Sequence, residues 1–329
     1  MKTTTIAILG AGSWGTAVAV HLAHAGHHVM LWGHDPQHVL NMTKEQRNQK
    51  YLADVHFPPT LSPMADLNEC LHLANYVIIA VPSHAFASLL AKINQPITSL
   101  AWLTKGVDPN SHALLSQLVA NKWGTSFPIA IISGPSFAHE VAHFLPTALV
   151  IAGNEPTYLR DMRALFHQGN MRAYCTDDII GVQLCGAVKN VLAIACGISD
   201  GLNYGSNAKA ALITRGLAEM RRLGLQMGAR PETFMGLAGM GDLVLSCTDD
   251  QSRNRRFGLQ IGQGVNLIDA EKYIGQVIEG RYNAAQVCTI AAQHHVDMPI
   301  CKEVSALLQG KVTAQQAVIH LMSRPPREE

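Results

Sequence analysis

Charge of either sign is scarce in this chain, and what there is nearly cancels. Of 329 residues, 15% are charged and the formal net charge is +1. That leaves no field to draw a nucleic-acid backbone or an anionic membrane surface, so any basic function must be local. The seven cysteines contain no C-x-x-C pair and are odd in number, which argues against a disulfide framework and fits reduced thiols in a cytoplasm. No apolar run approaches the ~20 residues of a bilayer span. The nearest, Val191 to Ile198, is flanked by Lys189-Asn190 and Asp200 and reads as a buried helix. A secretory leader does not fit either, because strand character begins by about residue 5. Internal repeats and low-complexity stretches are missing, and only Ser323 to Glu329, with Pro325-Pro326, reads as frayed. These absences leave a well-packed soluble protein, 48% apolar, whose length exceeds what one core fills and predicts two domains.

What is present begins in the first fifteen residues. The apolar run Ile6-Ala7-Ile8-Leu9 feeds into Gly10-Ala11-Gly12-Ser13-Trp14-Gly15, and an alanine-rich amphipathic helix follows over Thr16 to Ala25. Gly26 ends it, and Val29-Met30-Leu31-Trp32 supplies a second strand. Strand, glycine turn, helix and strand in this order make a dinucleotide-binding unit. Gly10 permits the tight turn, Gly12 lets backbone amides approach a pyrophosphate, and Gly15 lets the helix pack closely on the strand. The helix then directs its first N–H groups and the positive end of its dipole at the phosphates.

The first half of the chain continues to alternate strands with helices. Further strand-like runs lie at Tyr76 to Val81, Ala101 to Thr104, Ile129 to Ser133 and Ala148 to Ala152. The pattern predicts an α/β fold, a Rossmann-type, doubly wound, mostly parallel sheet with helices on both faces. Val81-Pro82-Ser83-His84, Thr104-Lys105-Gly106 and Ser133-Gly134-Pro135-Ser136 follow strands, where such sheets bind ligands. From about Asp177 strand signals cease. Helical periods run through 178–198, 207–227, 252–263, 269–278, 283–295, 299–309 and 313–322. The expected division is a dinucleotide-binding domain over 1–180 and a helical substrate-binding domain over 181–329.

Four places could carry chemistry. Lys189 lies in an almost wholly apolar helical run, so its ammonium must be paired or face a polar cleft. Desolvation makes an amine usable as proton donor and acceptor; snorkelling to the rim or a salt bridge at a domain interface is the alternative. Lys105, between a strand and Gly106, can enter a ligand crevice or sit in a surface turn. Met235-Gly236-Leu237-Ala238-Gly239-Met240-Gly241-Asp242 is a second glycine-rich loop without a preceding strand. Its Asp242 either orients a lysine or substrate hydroxyl, or N-caps the helix from Leu243. Ser252-Arg253-Asn254-Arg255-Arg256 concentrates positive charge at a helix start, which suits bidentate phosphate binding or a plain surface helix. Successive residues stand about 100° apart around a helix, so the three arginines cannot all face one ligand. Arg253 with Asn254 is the stronger pair.

His139-Glu140-Val141-Ala142-His143 matches the H-E-x-x-H pattern of zinc hydrolases. It follows a strand of a dinucleotide-type domain and has no clear third ligand downstream, so no metal is expected.

Together these motifs resemble one family, the bacterial NAD(P)-dependent glycerol-3-phosphate dehydrogenases. The likeness runs from Ile6 to about Leu321 and is carried by Gly10–Gly15, Val81–His84, Thr104–Gly106, Ser133–Phe137, Gly181–Asn190, Leu212–Glu219, Gly239–Asp242 and Ser252–Gly258. The resemblance implies that Lys189 accepts the proton when the C2 hydroxyl of glycerol 3-phosphate is oxidised and donates it when dihydroxyacetone phosphate is reduced. It implies that Lys105 touches both cofactor and substrate, and that Asp242 positions the reacting hydroxyl and Lys189. Gly134, Ser136, Ser252, Arg253 and Asn254 match substrate positions. Ser13, Trp14, His34, Ala138, Val277 and Glu279 match cofactor positions, and Arg253 also lies near the cofactor in the family pattern. His139 and His143 match no family site. The resemblance further implies a homodimer that supplies glycerol 3-phosphate for phospholipid synthesis in the cytoplasm.

The cofactor choice stays open between NADH and NADPH. Asp35 stands 20 residues after Gly15, the usual distance of an acid on the NAD ribose. Gly33 directly after the second strand, with His34, accommodates a 2′-phosphate and tilts the reading to NADPH. The rivals are a 6-phosphogluconate or 3-hydroxyisobutyrate type dehydrogenase, which would not explain Ser252 to Phe257, and a non-catalytic NAD sensor, which would not explain Lys105, Lys189 and Asp242 together.

Overall fold

The computed structural model describes residues 3–325, so Pro326 to Glu329 of the expected frayed tail lie outside the described residues. The chain forms two compact units. One contains the residues up to Lys105 and Leu115–Ile179; the other contains Gly106–Leu114 and the residues from Ile180. The sequence pattern predicts a single division at 180/181, whereas the segment Gly106–Leu114 groups with the second unit. That segment contains a β-bridge between Val107 and Leu114 and an Asp108 side chain that accepts from the Ser111 N–H and hydroxyl.

Among the described residues, the first unit contains ten strands: β1 (Thr5–Leu9), β2 (His28–Trp32), β3 (Arg47–Asn48), β4 (Leu52–His56), β5 (Leu61–Met64), β6 (Tyr76–Ile79), β7 (Leu100–Trp102), β8 (Ile129–Ser133), β9 (Thr147–Gly153) and β10 (Met171–Thr176). Its helices are α1 (Ser13–His24), α2 (Pro36–Glu45), α3 (Leu67–Leu73), α4 (Ser83–Lys92), α5 (Leu115–Trp123), α6 (Ala138–Ala142) and α7 (Pro156–Phe166). Eight strands make one sheet in the order β10-β9-β8-β7-β6-β1-β2-β5. All its pairs are parallel except β8 with β9. The chain therefore runs outward from β1 through β2 to β5, returns to β6 on the other side of β1, and so creates a topological switch point between β1 and β6.

All six strand runs read from the sequence are present. The four strands that it lacked lie at the margins. β5 carries Pro63, which a strand accepts only where an N–H is not needed, and β5 is an edge strand paired with β2 alone. β10 is the opposite edge and alternates buried Met171 and Ala173 with exposed Arg172 and Tyr174. β3 and β4 form a separate antiparallel hairpin. Its Asn48 is fully buried and donates to the Ala11 carbonyl (2.9 Å) and the Thr16 hydroxyl (2.8 Å), so the hairpin braces the glycine turn.

The second unit is helical: α8 (Ile179–Gly201), α9 (Gly205–Gln226), α10 (Pro231–Met235), α11 (Asp242–Thr248), α12 (Arg253–Gly262), α13 (Leu267–Ile274), α14 (Glu279–Gln293), α15 (Pro299–Leu308) and α16 (Ala314–Met322). By length and composition α8 could cross a membrane, contrary to the expectation from its shorter apolar run; in the structure 83% of its most apolar window is buried within the protein. Glycines let α8 and α12 approach to backbone contact. A Cβ on Gly197 would stand 2.0 Å from the Arg255 carbonyl oxygen, and one on Gly258 would stand 2.1 Å from that of Ile194. Further along, the carboxylate of Glu219 on α9 caps α15 by accepting from the N–H groups of Ile300 (2.7 Å) and Cys301 (3.3 Å). Burial pushes that carboxyl up to about 7.

Candidate active site

The glycine turn sits at the switch point. Gly10, at φ +134°, follows β1. A Cβ there would lie 2.7 Å from the backbone of Ala80, which follows β6. Only glycine permits both the dihedral and the approach. Gly15 is equally constrained, because its Cβ would meet the Gly10 carbonyl oxygen at 2.0 Å. Gly12, by contrast, has no atom within 4 Å of where its Cβ would be, and no side chain caps the first turn of α1. Open space in front of a helix N-terminus is what a pyrophosphate needs, so these residues fit a dinucleotide. Ser13 and Trp14 begin that helix, and the Trp14 indole N–H is buried without a hydrogen-bond partner. His34 is exposed just beyond β2. Asp35, weighed as an acid for the ribose, accepts from the Gln37 N–H at 3.0 Å and caps α2.

Beyond β7 and β8 the structure gathers Lys105, Gly134 and Ser136. The Gly134 carbonyl accepts from Lys105 Nζ and from the Ser136 hydroxyl, each at 2.9 Å. Gly134 itself has φ +114°, a left-handed conformation that turns this carbonyl toward the lysine. Ala138 opens α6 immediately afterwards.

In the second unit Lys189 is 7% exposed and Asp242 1%. Lys189 Nζ lies 2.8 Å from Asp242 Oδ1 and donates to the Ser246 hydroxyl at 2.7 Å. The apolar helix carries an ammonium because two other groups satisfy it. Asp242 is not the N-cap of its helix: a π-helical turn over Leu237–Gly241 runs straight into α11, and Asp242 is its first residue. The loop expected over 235–242 is instead helical from Leu237, and three glycines in eight residues mask that continuity in the sequence. Ser246 was missed as well, although it lies four residues after Asp242 and thus on the same helix face.

The segment from Ser252 divides its labour. Ser252 N-caps α12 by accepting from the Arg255 N–H at 3.3 Å. Arg255 points inward and pairs with Asp200 at 2.6 Å and with Asp250. Asn254 donates to the Asn190 side chain and accepts from the Gly280 N–H, both at 2.9 Å, so it locks α8 to the start of α14. Arg253 reaches Gln276 at 3.4 Å, beside Val277, and Glu279 begins α14. His139 and His143 face Asp54, upstream of the motif.

The chain matches family models for the NAD-dependent glycerol-3-phosphate dehydrogenase N-terminus over residues 5–159 and C-terminus over residues 178–319. It is 66% identical over the full length of both chains to a glycerol-3-phosphate dehydrogenase [NAD(P)+] of Legionella pneumophila strain Paris. It is 51% identical, again over both full lengths, to the enzyme of that name from Thioalkalivibrio sulfidiphilus. Among solved structures, the glycerol-3-phosphate dehydrogenase of Coxiella burnetii superposes with a TM-score of 0.95 at 48% identity, covering 98% of this chain and 99% of that one.

Proposed function

The chain belongs to the NAD-dependent glycerol-3-phosphate dehydrogenase family, and on that premise we propose how its residues interconvert dihydroxyacetone phosphate and sn-glycerol 3-phosphate. The bound nicotinamide supplies the hydride in reduction and accepts it in oxidation. The observation that carries the residue assignment is the buried cluster of Lys189, Asp242 and Ser246. An ammonium has three donors; Asp242 and Ser246 engage two, which leaves one for the substrate C2 oxygen. In reduction Lys189 donates its proton to that oxygen as negative charge develops there, and in oxidation the neutral amine takes the hydroxyl proton. Asp242 compensates the ammonium and fixes its direction.

Lys105, held by the Gly134 carbonyl, contributes a second cationic donor to substrate and cofactor, with Ser136 beside it. Arg253 grips the phosphate with its planar fork, Ser252 places the helix start, and Asn254 holds that helix in place. On the cofactor side, Gly10, Gly12, Ser13, Trp14 and Gly15 hold the pyrophosphate region, with His34, Ala138, Val277 and Glu279 as further contacts. NADPH is favoured over NADH because Asp35 is committed to capping α2 and His34 is exposed beside Gly33. A cytoplasmic homodimer that makes glycerol 3-phosphate for phospholipid synthesis completes the reading, and the seven cysteines, all free thiols, support the compartment.

The test is NADPH oxidation with dihydroxyacetone phosphate beside unphosphorylated dihydroxyacetone and 2-keto acids. Turnover confined to the phosphorylated ketone is expected. No turnover with it overturns the assignment, and a lower KM for NADH than for NADPH overturns the cofactor preference.

A further inference from the structure

We propose that Asp54, His139 and His143 form a binding site for a divalent transition-metal ion of the zinc type on the surface of the first unit. Three potential ligand atoms, one from each residue, all lie within 4.8 Å of one another. Nε2 of His139 is 3.0 Å and Nε2 of His143 3.3 Å from the same carboxylate oxygen of Asp54. The two imidazoles come from positions i and i+4 and stack with centroids 4.2 Å apart and planes 30° from parallel, which presents both Nε2 atoms to one side.

A hydrogen bond aims His143 into this cluster. Its Nδ1 stands 2.8 Å from the His139 carbonyl oxygen, which only accepts, so Nδ1 donates there and Nε2 is the ring nitrogen left to face Asp54. A metal ion between the two Nε2 atoms and the carboxylate would take one ligand from each of the three groups. A ring nitrogen that donates to a backbone carbonyl while its other nitrogen faces the metal is also the usual outer-shell arrangement of ligating histidines. Two imidazoles and one carboxylate suit zinc, cobalt, nickel or copper rather than magnesium or calcium. All three residues are exposed, so the ion has an entry path and water can complete its coordination.

The site is structural, not hydrolytic. Asp54 belongs to β4, in the hairpin whose Asn48 braces the glycine turn, and the histidines belong to α6 and its C-cap. A bound ion would staple one to the other.

The experiment titrates Zn²⁺ into chelator-treated full-length protein by calorimetry, with Co²⁺ absorption and thermal melting as parallel readouts. One equivalent of Zn²⁺ is expected to bind, to raise Tm by about 2–4 °C once its concentration is several-fold above Kd, and Co²⁺ should give a visible d–d band. Asp54→Ala, His139→Ala and His143→Ala should each weaken binding by 10-fold or more, while melting in chelator, which reports folding alone, stays near that of the parent. Absence of saturable binding overturns the proposal. So does binding that all three variants retain, which would place the ion elsewhere, for example on the thiols.

Discussion

The two units offer ligands opposite kinds of surface. The first works mainly with backbone: at Gly10, Gly12 and Gly15 it removes side chains so that amides, a carbonyl and a helix end are exposed at the switch point of a sheet. The second works with side chains, burying an ammonium, a carboxylate and a hydroxyl in a helical core where each satisfies another. A backbone site has little to titrate and tolerates little added volume. A buried side-chain site depends instead on charge balance and on each polar group keeping its partner. The cofactor recognition proposed for the first unit and the proton transfer proposed for Lys189 make these different demands.

The sharpest way to break this contrast is to remove one side chain from the second unit. Lys189→Met should lower kcat by roughly 10²-fold or more, as loss of general acid/base catalysis does, and leave dinucleotide affinity near that of the parent. Full kcat in this variant, measured in steady state, would rule Lys189 out as the proton carrier. The converse substitution is Gly15→Ala, which adds one methyl 2.0 Å from the Gly10 carbonyl oxygen. We expect it to destabilise the first unit by about 1–3 kcal/mol, the usual scale of overpacking, and to weaken NADPH binding by at least 10-fold. Unaltered binding in a fluorescence titration would show that the turn has more slack than its backbone indicates.

An effect on stability alone, outside catalysis and binding, probes buried charge away from the lysine. The Glu219 carboxyl is raised to about 7 by burial, so the folded protein holds its proton more tightly than the unfolded chain. The contribution of Glu219 to stability is then full below the unfolded carboxylate range near 4.5 and is lost as pH rises through about 7. On the order of 2–3 kcal/mol is at stake across that window. Glu219→Gln keeps an acceptor for one of the two N–H groups, has no proton to exchange, and should flatten this slope in denaturant melts taken from pH 5 to 8. An unchanged slope would assign it to another group.

The contrast also explains what was legible in the sequence. The glycine turn could be read because strand, spacing and helix occur in fixed order over a few residues, and the central strands because they are continuous apolar runs. Lys189 could be read because a charge in an apolar helix is an anomaly. Legibility failed where a residue acts through a distant partner. Nothing local marks Asp54 as the neighbour of His139 and His143, 85 residues or more away. Edge strands β5 and β10 failed for a related reason: paired on one side only, they carry proline or exposed side chains that a central strand could not. Ser246 needed the knowledge that 237–248 is continuous helix, which its glycines conceal.

Lys189 has one more consequence, which concerns the chain before it folds. The helix Ile179–Gly201 is long and apolar enough to enter a bilayer, and during synthesis it emerges without the core that later covers it. Lys189 stands near its midpoint, where a lysine costs about 2.5–3.5 kcal/mol on insertion. The amine proposed to serve the reaction in the finished protein therefore also biases the nascent segment against being sorted as a membrane anchor. Replacing it with an apolar residue would remove both properties at once.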